Sequence, residues 1–376
     1  MCVVGPGTRF LSGITYYTFG LVGALAPDAQ VSAVLMRRLL PRFLYPGKDR
    51  VGTDISTIAL PAGVRSYDGV DWYWLPSLFG ALRFLTRERP DVVVLQWWTG
   101  TVLHSFLALA IAARRRGAKV VIEFHESLDT AEDKFALFSR YVNLVAPRLF
   151  RMADQYVVHS EFDRNLIVGR FGLPADAFHV VPHAGYDTYE GTSAGAQREA
   201  PDGVLNLLYF GIIRPFKGVE DLVRAYEGIP EDQADRFWLT VVGETWEGHT
   251  LPTELIAASP RRDRITFVNR YVQDDEVDGF FRGADVVVLP YHRSSMSGPL
   301  HVAMNYGRPV VVTSVGGLVE AASGYGGAVF VEPQDPDSLR AGILEAATLV
   351  GQEFEVTHDW DRTRELYGEV ISAALA

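Results

Sequence analysis

The chain alternates between short apolar runs and longer stretches with a helical pattern. The apolar runs are rich in Val, Ile and Leu and are bounded by turn residues. They read VSAVLM, DVVVLQ, KVVIEF and QYVVHS in the first half, and LNLLYF, WLTVVG, RITFVN, DVVVLP, PVVVTS and AVFVEP in the second. Continuous runs of this kind, separated by helices, are typical of parallel strands buried on both faces. The pattern therefore predicts an α/β architecture in each half of the chain.

A break in this pattern divides the chain. The stretch GYDTYEGTSAGAQREAPDG, residues 185–203, is rich in Gly, Ser, Thr and Ala and has no apolar periodicity, which is typical of an interdomain linker. We therefore expect a first domain at residues 1–185, a linker at 186–203 and a second domain at 204–355. Residues 356–376 have a helical pattern with no strand after it, which predicts a closing helix.

Length and composition agree with two domains and exclude some functions. A chain of 376 residues that is 48% hydrophobic is long enough for two buried cores at ~100–200 residues per domain. Its formal net charge of -11 argues against a nucleic-acid partner, because phosphates attract basic surfaces. Cys2 is the only cysteine, so no intrachain disulfide can form, and a cytoplasmic location is expected. No apolar run approaches the ~20 residues of a membrane span.

Two cations are conspicuous in this acidic chain. In LNLLYFGIIRPFKGVEDLVRAY an apolar run ends at Gly211, and Arg214 and Lys217 follow before a helix that we expect to begin near Gly218. Charge-assisted hydrogen bonds contribute about 1.5–3 kcal/mol each, and a helix N-terminus adds its dipole. The pair therefore predicts an anion-binding site. A solvated turn would explain either residue alone, and it explains both less well.

Loops in the first half also carry candidate chemistry, because ligands bind at the carboxyl ends of the strands in open parallel sheets. The loop GPGTRFLSGI, residues 5–14, leads into a helix expected to begin near Ser12 or Gly13. Such a loop can bring backbone N–H groups to a phosphate, and a tight strand-to-helix turn is the alternative. His125, at the end of VVIEFHES, is placed to hydrogen-bond a substrate, and a structural histidine is the alternative.

In the second half, the Ser/Gly loop SSMSG at residues 294–298 precedes a predicted helix. Its backbone N–H groups suit a diphosphate, although Pro299 lacks one. Two D-x-D strings, at residues 335–337 and 359–361, precede predicted helices, where Asp is a common N-cap. We therefore interpret both strings as structural and expect no metal site there.

The order and spacing of these motifs resemble those of the retaining glycosyltransferases of family 4. The motifs are G-x-x-x-x-x-K-G at residues 211–218, P-Y at 290–291, G-R-P-V-V at 307–311 and G-G-x-x-E at 316–320. The strings SGI, FHE, VVHSE, VPHAGYD and DWDRTRELY also match, so the resemblance covers nearly the whole chain. It implies the GT-B fold, with two Rossmann-like, doubly wound α/β domains facing across a cleft. It also implies that the closing helix crosses back to the N-terminal domain.

The resemblance further implies a nucleotide diphosphate sugar donor, no cofactor or metal ion, and attack on the same face of the sugar as the leaving phosphate. Arg214 and Lys217 would bind the diphosphate and stabilise the charge that develops on it. With His125, which would contact the transferred sugar, they form the implied catalytic set. The other implied donor-binding residues are Ser12, Gly13, Gly211, Tyr271, Val272, Ser294, Ser297, Gly298, Pro299, Leu300 and Val302.

One pair of positions departs from the family pattern. Family members usually carry two glutamates eight residues apart, one near the sugar hydroxyls and one on the ribose. Counted back from Ala303 and Met304, these positions hold Ser294 and Val302. The donor's sugar and base are therefore open. Two alternatives to sugar transfer also stay open: a noncatalytic sugar-nucleotide-binding partner subunit, and another GT-B chemistry such as nucleotide-sugar 2-epimerisation.

The sequence says little about the acceptor. Residues 36–50, MRRLLPRFLYPGKDR, mix basic and apolar side chains in a way that suits an anionic membrane carrying a lipid-linked acceptor. A solvated loop is the alternative, since Pro41 and Pro46 prevent a long helix. We expect an acceptor in polysaccharide, glycolipid or natural-product assembly, and the sequence leaves peripheral membrane contact and the oligomeric state open.

Overall fold

A computed structural model describes residues 1–9, 13–38, 58–71, 75–126, 136–185, 189, 191–193, 195–246, 248–356 and 358–376. The chain forms two compact units. Met1–Ala184 and His358–Ala376 make up the first unit, and Gly185–Thr357 make up the second. Ser12 and most of the basic and apolar segment at 36–50 lie outside the described residues.

The first unit is built on a seven-stranded sheet. Its strands are β1 (Cys2–Pro6), β2 (Ser32–Arg38), β3 (Arg65–Asp71), β4 (Val92–Trp97), β5 (Lys119–Phe124), β6 (Gln155–Val158) and β7 (Phe178–Val180). They lie in the order β3-β2-β1-β4-β5-β6-β7, and every neighbouring pair is parallel. The helices between them are α1 (Gly13–Leu25), α2 (Leu75–Glu88), α3 (Leu103–Arg114), α4 (Ala136–Phe150) and α5 (Glu161–Phe171).

The apolar runs become central strands because both faces of the sheet are covered. All six residues of β4, VVVLQW, are buried. Val93 and Leu95 pack into one hydrophobic core, and Val92 and Val94 pack into the core on the opposite face. Side chains alternate between the faces of a strand, so a strand between two cores is mainly apolar, and its one polar residue, Gln96, is hydrogen-bonded to Glu123.

The second unit repeats this plan with a six-stranded parallel sheet in the order β10-β9-β8-β11-β12-β13. Its strands are β8 (Leu205–Phe210), β9 (Phe237–Val242), β10 (Ile265–Val268), β11 (Val286–Leu289), β12 (Val310–Thr313) and β13 (Ala328–Val331). Its helices are α6 (Val219–Glu227), α7 (Glu231–Ala234), α8 (Leu251–Ala258), α9 (Asp274–Gly283), α10 (Gly298–Asn305), α11 (Gly317–Ala322) and α12 (Pro336–Ala346).

The closing helix α13 (Trp360–Leu375) packs in the first unit. Its buried face, Tyr367, Val370 and Ala374, belongs to the same core as residues of α1. Gly20 of α1 lies under Trp360, where an added Cβ would come within 2.1 Å of the indole. A glycine is therefore required at this crossing of the two helices.

Each quoted apolar run falls on a strand, and two strands were missed from the sequence. The first, β3 (RSYDGVD), lies at the sheet edge and is mostly exposed or half-buried. The second, β7 at the other edge, has three residues. The interpretation of the D-x-D strings as caps is confirmed, because Asp335 and Asp359 accept hydrogen bonds from the first turns of α12 and α13. Among the described residues, no helix has the length and hydropathy needed to span a membrane.

Candidate functional site

The predicted cations lie where the strand order of the second sheet reverses. From β8, the chain continues on one side to β9 and later returns to the other side at β11. In open parallel sheets, ligands bind outside the carboxyl ends of the strands at such a reversal. The loops that follow β8 and β11 are the G-x-x-x-x-x-K-G loop at 211–218 and the loop that leads into α10 at Gly298.

The loop after β8 begins with a close approach of two backbones. The Gly211 N–H donates to the Val242 carbonyl at 3.0 Å, and Gly211 has a φ of 131°. A Cβ at Gly243, which follows β9, would lie 1.9 Å from the Gly211 carbonyl oxygen. On the other side of Gly211, the Pro299 ring lies 3.7 Å from where its Cβ would be. Gly211 and Pro299, which lie on the loops after β8 and β11, are thus close together.

Arg214 and Lys217 are both held over aromatic rings. The Arg214 guanidinium lies 3.9 Å from the centre of the Trp246 ring, and the Lys217 ammonium lies 3.5 Å from the centre of the Tyr291 ring. Both side chains are half-buried. Cation–π contacts contribute about 0.5–2 kcal/mol each, so the two charges are partly ordered before any anion arrives.

The helix α6, which follows this loop, carries its own acidic residues. Glu220 and Asp221 lie in its first turn and are buried. The Asp221 carboxylate pairs with His292 at 2.7 Å and with Arg224 at 3.2 Å. Carboxylates at this end already interact with the helix dipole. The charge for binding a diphosphate therefore has to come from the cations, and the dipole adds less than the sequence suggested.

Gly218 joins the loops after β8 and β11, and sequence reasoning did not place it in the site. A Cβ at Gly218 would lie 2.0 Å from the Pro290 carbonyl oxygen, and its φ is 63°. The His292 N–H donates to the Phe216 carbonyl at 2.9 Å. The K-G pair in the motif was a signal for Gly218, whereas nothing in the sequence connected Asp221 with His292.

The Ser/Gly loop and α10 satisfy some of their own backbone groups. Ser297 is the N-cap, and its Oγ accepts the Leu300 N–H at 3.3 Å. The Ser294 hydroxyl donates to the Met296 carbonyl at 2.7 Å. Gly298 and Pro299 form the first turn of α10. The N–H of Leu300, one of the implied donor-binding residues, is thus already partnered within the loop.

Val302, and Tyr271 and Val272 after β10, are held in place by contacts within the second unit. Val302 is buried, with 4% of its surface exposed. Val272 is buried as well, and the Tyr271 carbonyl accepts a hydrogen bond from the Arg270 guanidinium at 3.2 Å. Arg270 also binds the Glu276 carboxylate, which completes the capping box of α9. The backbone of Tyr271 and Val272 is therefore held in one position next to the sheet.

In the first unit, the predicted phosphate loop is described up to residue 9, and α1 begins at the exposed Gly13. The Thr15 hydroxyl donates to the Gly7 carbonyl at 3.3 Å. A Cβ at Gly5 would lie 2.1 Å from Gln96 Oε1. Gly5 lies within β1, where the close approach of Gln96 leaves no room for a side chain.

His125 lies just past β5, and its imidazole is completely buried. Its Nδ1 is 3.1 Å from Nε2 of His159, and its Nε2 is 3.5 Å from Oε2 of Glu123. The Glu123 carboxylate accepts hydrogen bonds from the Tyr17 hydroxyl at 2.7 Å and from the Gln96 amide at 3.0 Å. We call Tyr17, Gln96, Glu123, His125 and His159 the His125 network. Sequence reasoning found His125 but not its partners, because they lie on separate strands and on α1.

The pKa values of Glu123 and His159 in the His125 network are shifted by burial and by the neighbouring charges. Burial alone raises the pKa of Glu123, but attraction to His125 and hydrogen bonds outweigh it and hold this pKa at about 2. Burial, with repulsion from His125, lowers the pKa of His159 to about 4. Glu123, His125 and His159 are the one group among the described residues with donor atoms close enough to share a metal ion. Most of their nitrogen and oxygen atoms already have hydrogen-bond partners in the protein, whereas Nε2 of His125 has the Glu123 carboxylate 3.5 Å away.

Comparisons with known proteins agree with this geometry. Residues 12–184 match the family model "Glycosyl transferase 4-like domain", and residues 205–348 match "Glycosyl transferases group 1". The D-inositol 3-phosphate glycosyltransferase of Xylanimonas cellulosilytica is 30% identical over 98% of this chain and 93% of its own.

Two solved structures share the fold over nearly the whole chain. Sucrose-phosphate synthase from Thermosynechococcus elongatus has a TM-score of 0.68 at 18% identity, covering 100% of this chain and 96% of its own. Anabaena HepE in complex with UDP-glucose has a TM-score of 0.66 at 14% identity, covering 99% of both chains. The two parallel α/β units thus have the GT-B fold, and the chain belongs to the family 4 glycosyltransferases.

Proposed function

We propose that the protein is a retaining glycosyltransferase that moves a sugar from a nucleotide diphosphate sugar to a hydroxyl acceptor without a metal ion. The observation that carries this proposal is the position of Arg214 and Lys217. Both cations are held over aromatic rings, at 3.9 Å and 3.5 Å, at the reversal of the second sheet. That is the place where a parallel sheet binds its ligand.

The chemistry follows from charge. Breaking the bond between the sugar and the phosphate leaves negative charge on the β-phosphate. Cations that are already ordered stabilise this charge without reorganising during the reaction, which lowers the barrier. In metal-dependent transferases a divalent ion supplies the positive charge, and here Arg214 and Lys217 supply it. The leaving phosphate then assists attack on the same face of the sugar.

The nucleoside would lie along the backbone of Tyr271 and Val272, with the ribose towards Val302. Val272 and Val302 have apolar side chains that are buried. They offer shape and backbone groups but no side-chain acceptor. Recognition of the base would therefore depend on main-chain hydrogen bonds, and the ribose would lack the carboxylate that family members usually provide.

The names of similar proteins supply a first set of substrates. The Xylanimonas relative is named for D-inositol 3-phosphate, and HepE is described with UDP-glucose. We propose UDP- and GDP-sugars as donors, and D-inositol 3-phosphate as the first acceptor to try, alongside lipid-linked and polysaccharide acceptors.

The test is a transfer assay over this donor and acceptor panel. Release of nucleoside diphosphate would be followed together with product mass, and the anomeric configuration of the product would be read by NMR. We expect one donor to be consumed with retention of configuration. Tight binding of a nucleoside diphosphate with no transfer to any acceptor would instead support the noncatalytic partner subunit, and an inverted product would contradict retention.

A further inference from the structure

The hydrogen bonds of the His125 network determine where its protons lie. The Val181 carbonyl, 2.9 Å from Nδ1 of His159, can only accept, so this nitrogen carries a hydrogen. Because burial lowers the pKa of His159 to about 4, its ring is neutral at pH 7 and its Nε2 is an acceptor. The nitrogen facing that acceptor is Nδ1 of His125, at 3.1 Å. Nδ1 of His125 is therefore the donor.

The other ring nitrogen of His125 faces a carboxylate. Its Nε2 is 3.5 Å from Oε2 of Glu123 and has no other partner among the described residues. The Glu123 oxygens accept hydrogen bonds from the Tyr17 hydroxyl and the Gln96 amide, as expected for an ionised carboxylate. If Nε2 carried no proton, its lone pair would be a buried acceptor without a donor and would point at a negative charge. A proton on Nε2 removes both the cost of the unsatisfied acceptor and the repulsion from the carboxylate.

We propose that Glu123 and His159 are positioning residues that hold His125 as an imidazolium at the carboxyl end of β5. His125 then has both ring nitrogens engaged inside the first unit. Towards a donor it supplies positive charge, and it does not supply a side-chain hydrogen bond. This role in transfer rests on the proposed function, whereas the protonation state of His125 does not.

The groups facing His125 from the surrounding elements support this assignment. They are Glu123 on β5, His159 after β6, His183 after β7, Tyr17 on α1 and Tyr367 on α13. The His183 ring lies beside Tyr17 and His159, and its Nδ1 donates to the Ala184 carbonyl. Glu123 is the only carboxylate in this set of described side chains. Burial raises the pKa of Tyr367 well above its usual range, so Tyr367 stays neutral.

The wild-type protein allows a direct test. Long-range ¹H–¹⁵N spectra of protein labelled at its nine histidines distinguish an imidazolium, whose two nitrogens resonate close together, from a neutral ring, whose nitrogens are widely split. A His125→Gln variant assigns the signal. We expect the imidazolium pattern for His125 at pH 7 and the neutral pattern for His159. A neutral His125 beside a protonated Glu123 would overturn the proposal, and so would tightly bound zinc in the purified protein.

The positioning role is tested by the pH dependence of turnover. Glu123→Gln keeps the shape of the side chain but removes the charge that holds the proton. We expect wild-type kcat/KM to be nearly constant from pH 6 to 8. In the variant it should fall about tenfold over this range, because the carboxylate that retains the second proton on His125 has been removed.

Two further variants keep this test interpretable. His159→Gln retains an acceptor and should keep most of the activity, whereas His159→Phe removes the acceptor and should not. His179→Gln, outside the network, is the matched control and should leave the pH profile unchanged. If Glu123→Gln instead loses activity equally at every pH, Glu123 has only a packing role, and the positioning role is contradicted. If no donor is turned over at all, the proposed function fails, while the NMR test still decides the protonation state.

Discussion

At the scale of single residues, Gly218 shows how one backbone position holds the loops after β8 and β11 together. Its positive φ of 63° disfavours a side chain, and the Pro290 oxygen, 2.0 Å from the position of a Cβ, leaves no room for one. The Lys217 ammonium over Tyr291 depends on the same junction, because Tyr291 directly follows Pro290. Gly218 therefore positions Lys217 without carrying any charge.

Gly218→Ala should destabilise the second unit more than Gly307→Ala does. Gly307 has nearly the same φ, 60°, but no atom within 4 Å of an added Cβ. Gly307→Ala should therefore lower the free energy of unfolding only by the backbone strain, about 1–2 kcal/mol. Gly218→Ala should cost about 1–3 kcal/mol more, because the Pro290 carbonyl must move. Urea denaturation of both variants measures the difference, and equal unfolding free energies would contradict the packing at Gly218.

Val302 should make the site tolerant of changes at the ribose. A carboxylate at this position would be left unpaired when the 2′-hydroxyl is removed, which makes discrimination steep. The valine side chain has no acceptor to leave unpaired. We expect the 2′-deoxy form of the preferred nucleoside diphosphate to bind less than about tenfold more weakly, or about 1.4 kcal/mol. Paired calorimetric titrations measure this ratio, and a ratio above a hundred would show that another group holds the ribose.

At the scale of elements, β5 and β6 bring Glu123 and His159 into a buried pair whose stability depends on pH. Glu123 has a folded pKa of about 2 against an ordinary value of 4.5. His159 has a folded pKa of about 4 against 6.5. For both groups the unfolded chain binds protons first as the pH falls, so folding loses stability on acidification.

The first unit should therefore lose stability progressively from about pH 6.5 downward, with His159 acting mainly between pH 6.5 and 4. Below pH 4.5, Glu123 adds to the loss. The urea midpoint of His159→Gln should decline less than that of the wild type between pH 6.5 and 4. Parallel declines in the two proteins would show that His159 is not buried in its neutral form.

The sequence predicted the strands that carry a continuous, mainly apolar run and missed those that do not. Ten quoted apolar runs coincide with strands because a strand buried on both faces is mainly apolar, and the edge strands β10 and β13 are also rich in Val, Ile and Phe. The edge strand β3 alternates with polar residues and Gly69, and β7 has only three residues, so neither gives a continuous run. The His125 network could not be predicted from the sequence either, because its members are brought together by the order of the strands.

At the scale of the whole molecule, the family and the fold could be predicted from the order of the motifs and are confirmed by the comparisons. The roles of individual residues stay predictions. Motif spacing placed Arg214 and Lys217 in the loop between β8 and α6, but it could not show that Trp246 and Tyr291 contact them. Those contacts depend on three different strand-to-helix loops.

Removing metal ions should leave transfer unchanged. In this account Arg214 and Lys217 provide the charge that a divalent ion provides in metal-dependent transferases. We expect the same kcat in excess EDTA as in untreated protein, with donor and acceptor saturating. Loss of activity that Mg²⁺ or Mn²⁺ restores would contradict a metal-independent mechanism.

The central claim is that Arg214 and Lys217 bind the donor diphosphate and stabilise the leaving group. Its most direct test is kcat/KM for donor in Arg214→Ala and in Lys217→Ala. Arg340→Ala, which removes a half-buried surface cation paired with Asp337 on α12, is the control. We expect a loss of roughly tenfold to several hundredfold in each of the first two variants, the scale of one charge-assisted bond. Arg340→Ala should behave like the wild type, and all three variants should remain folded. Wild-type rates in both Arg214→Ala and Lys217→Ala would contradict the account.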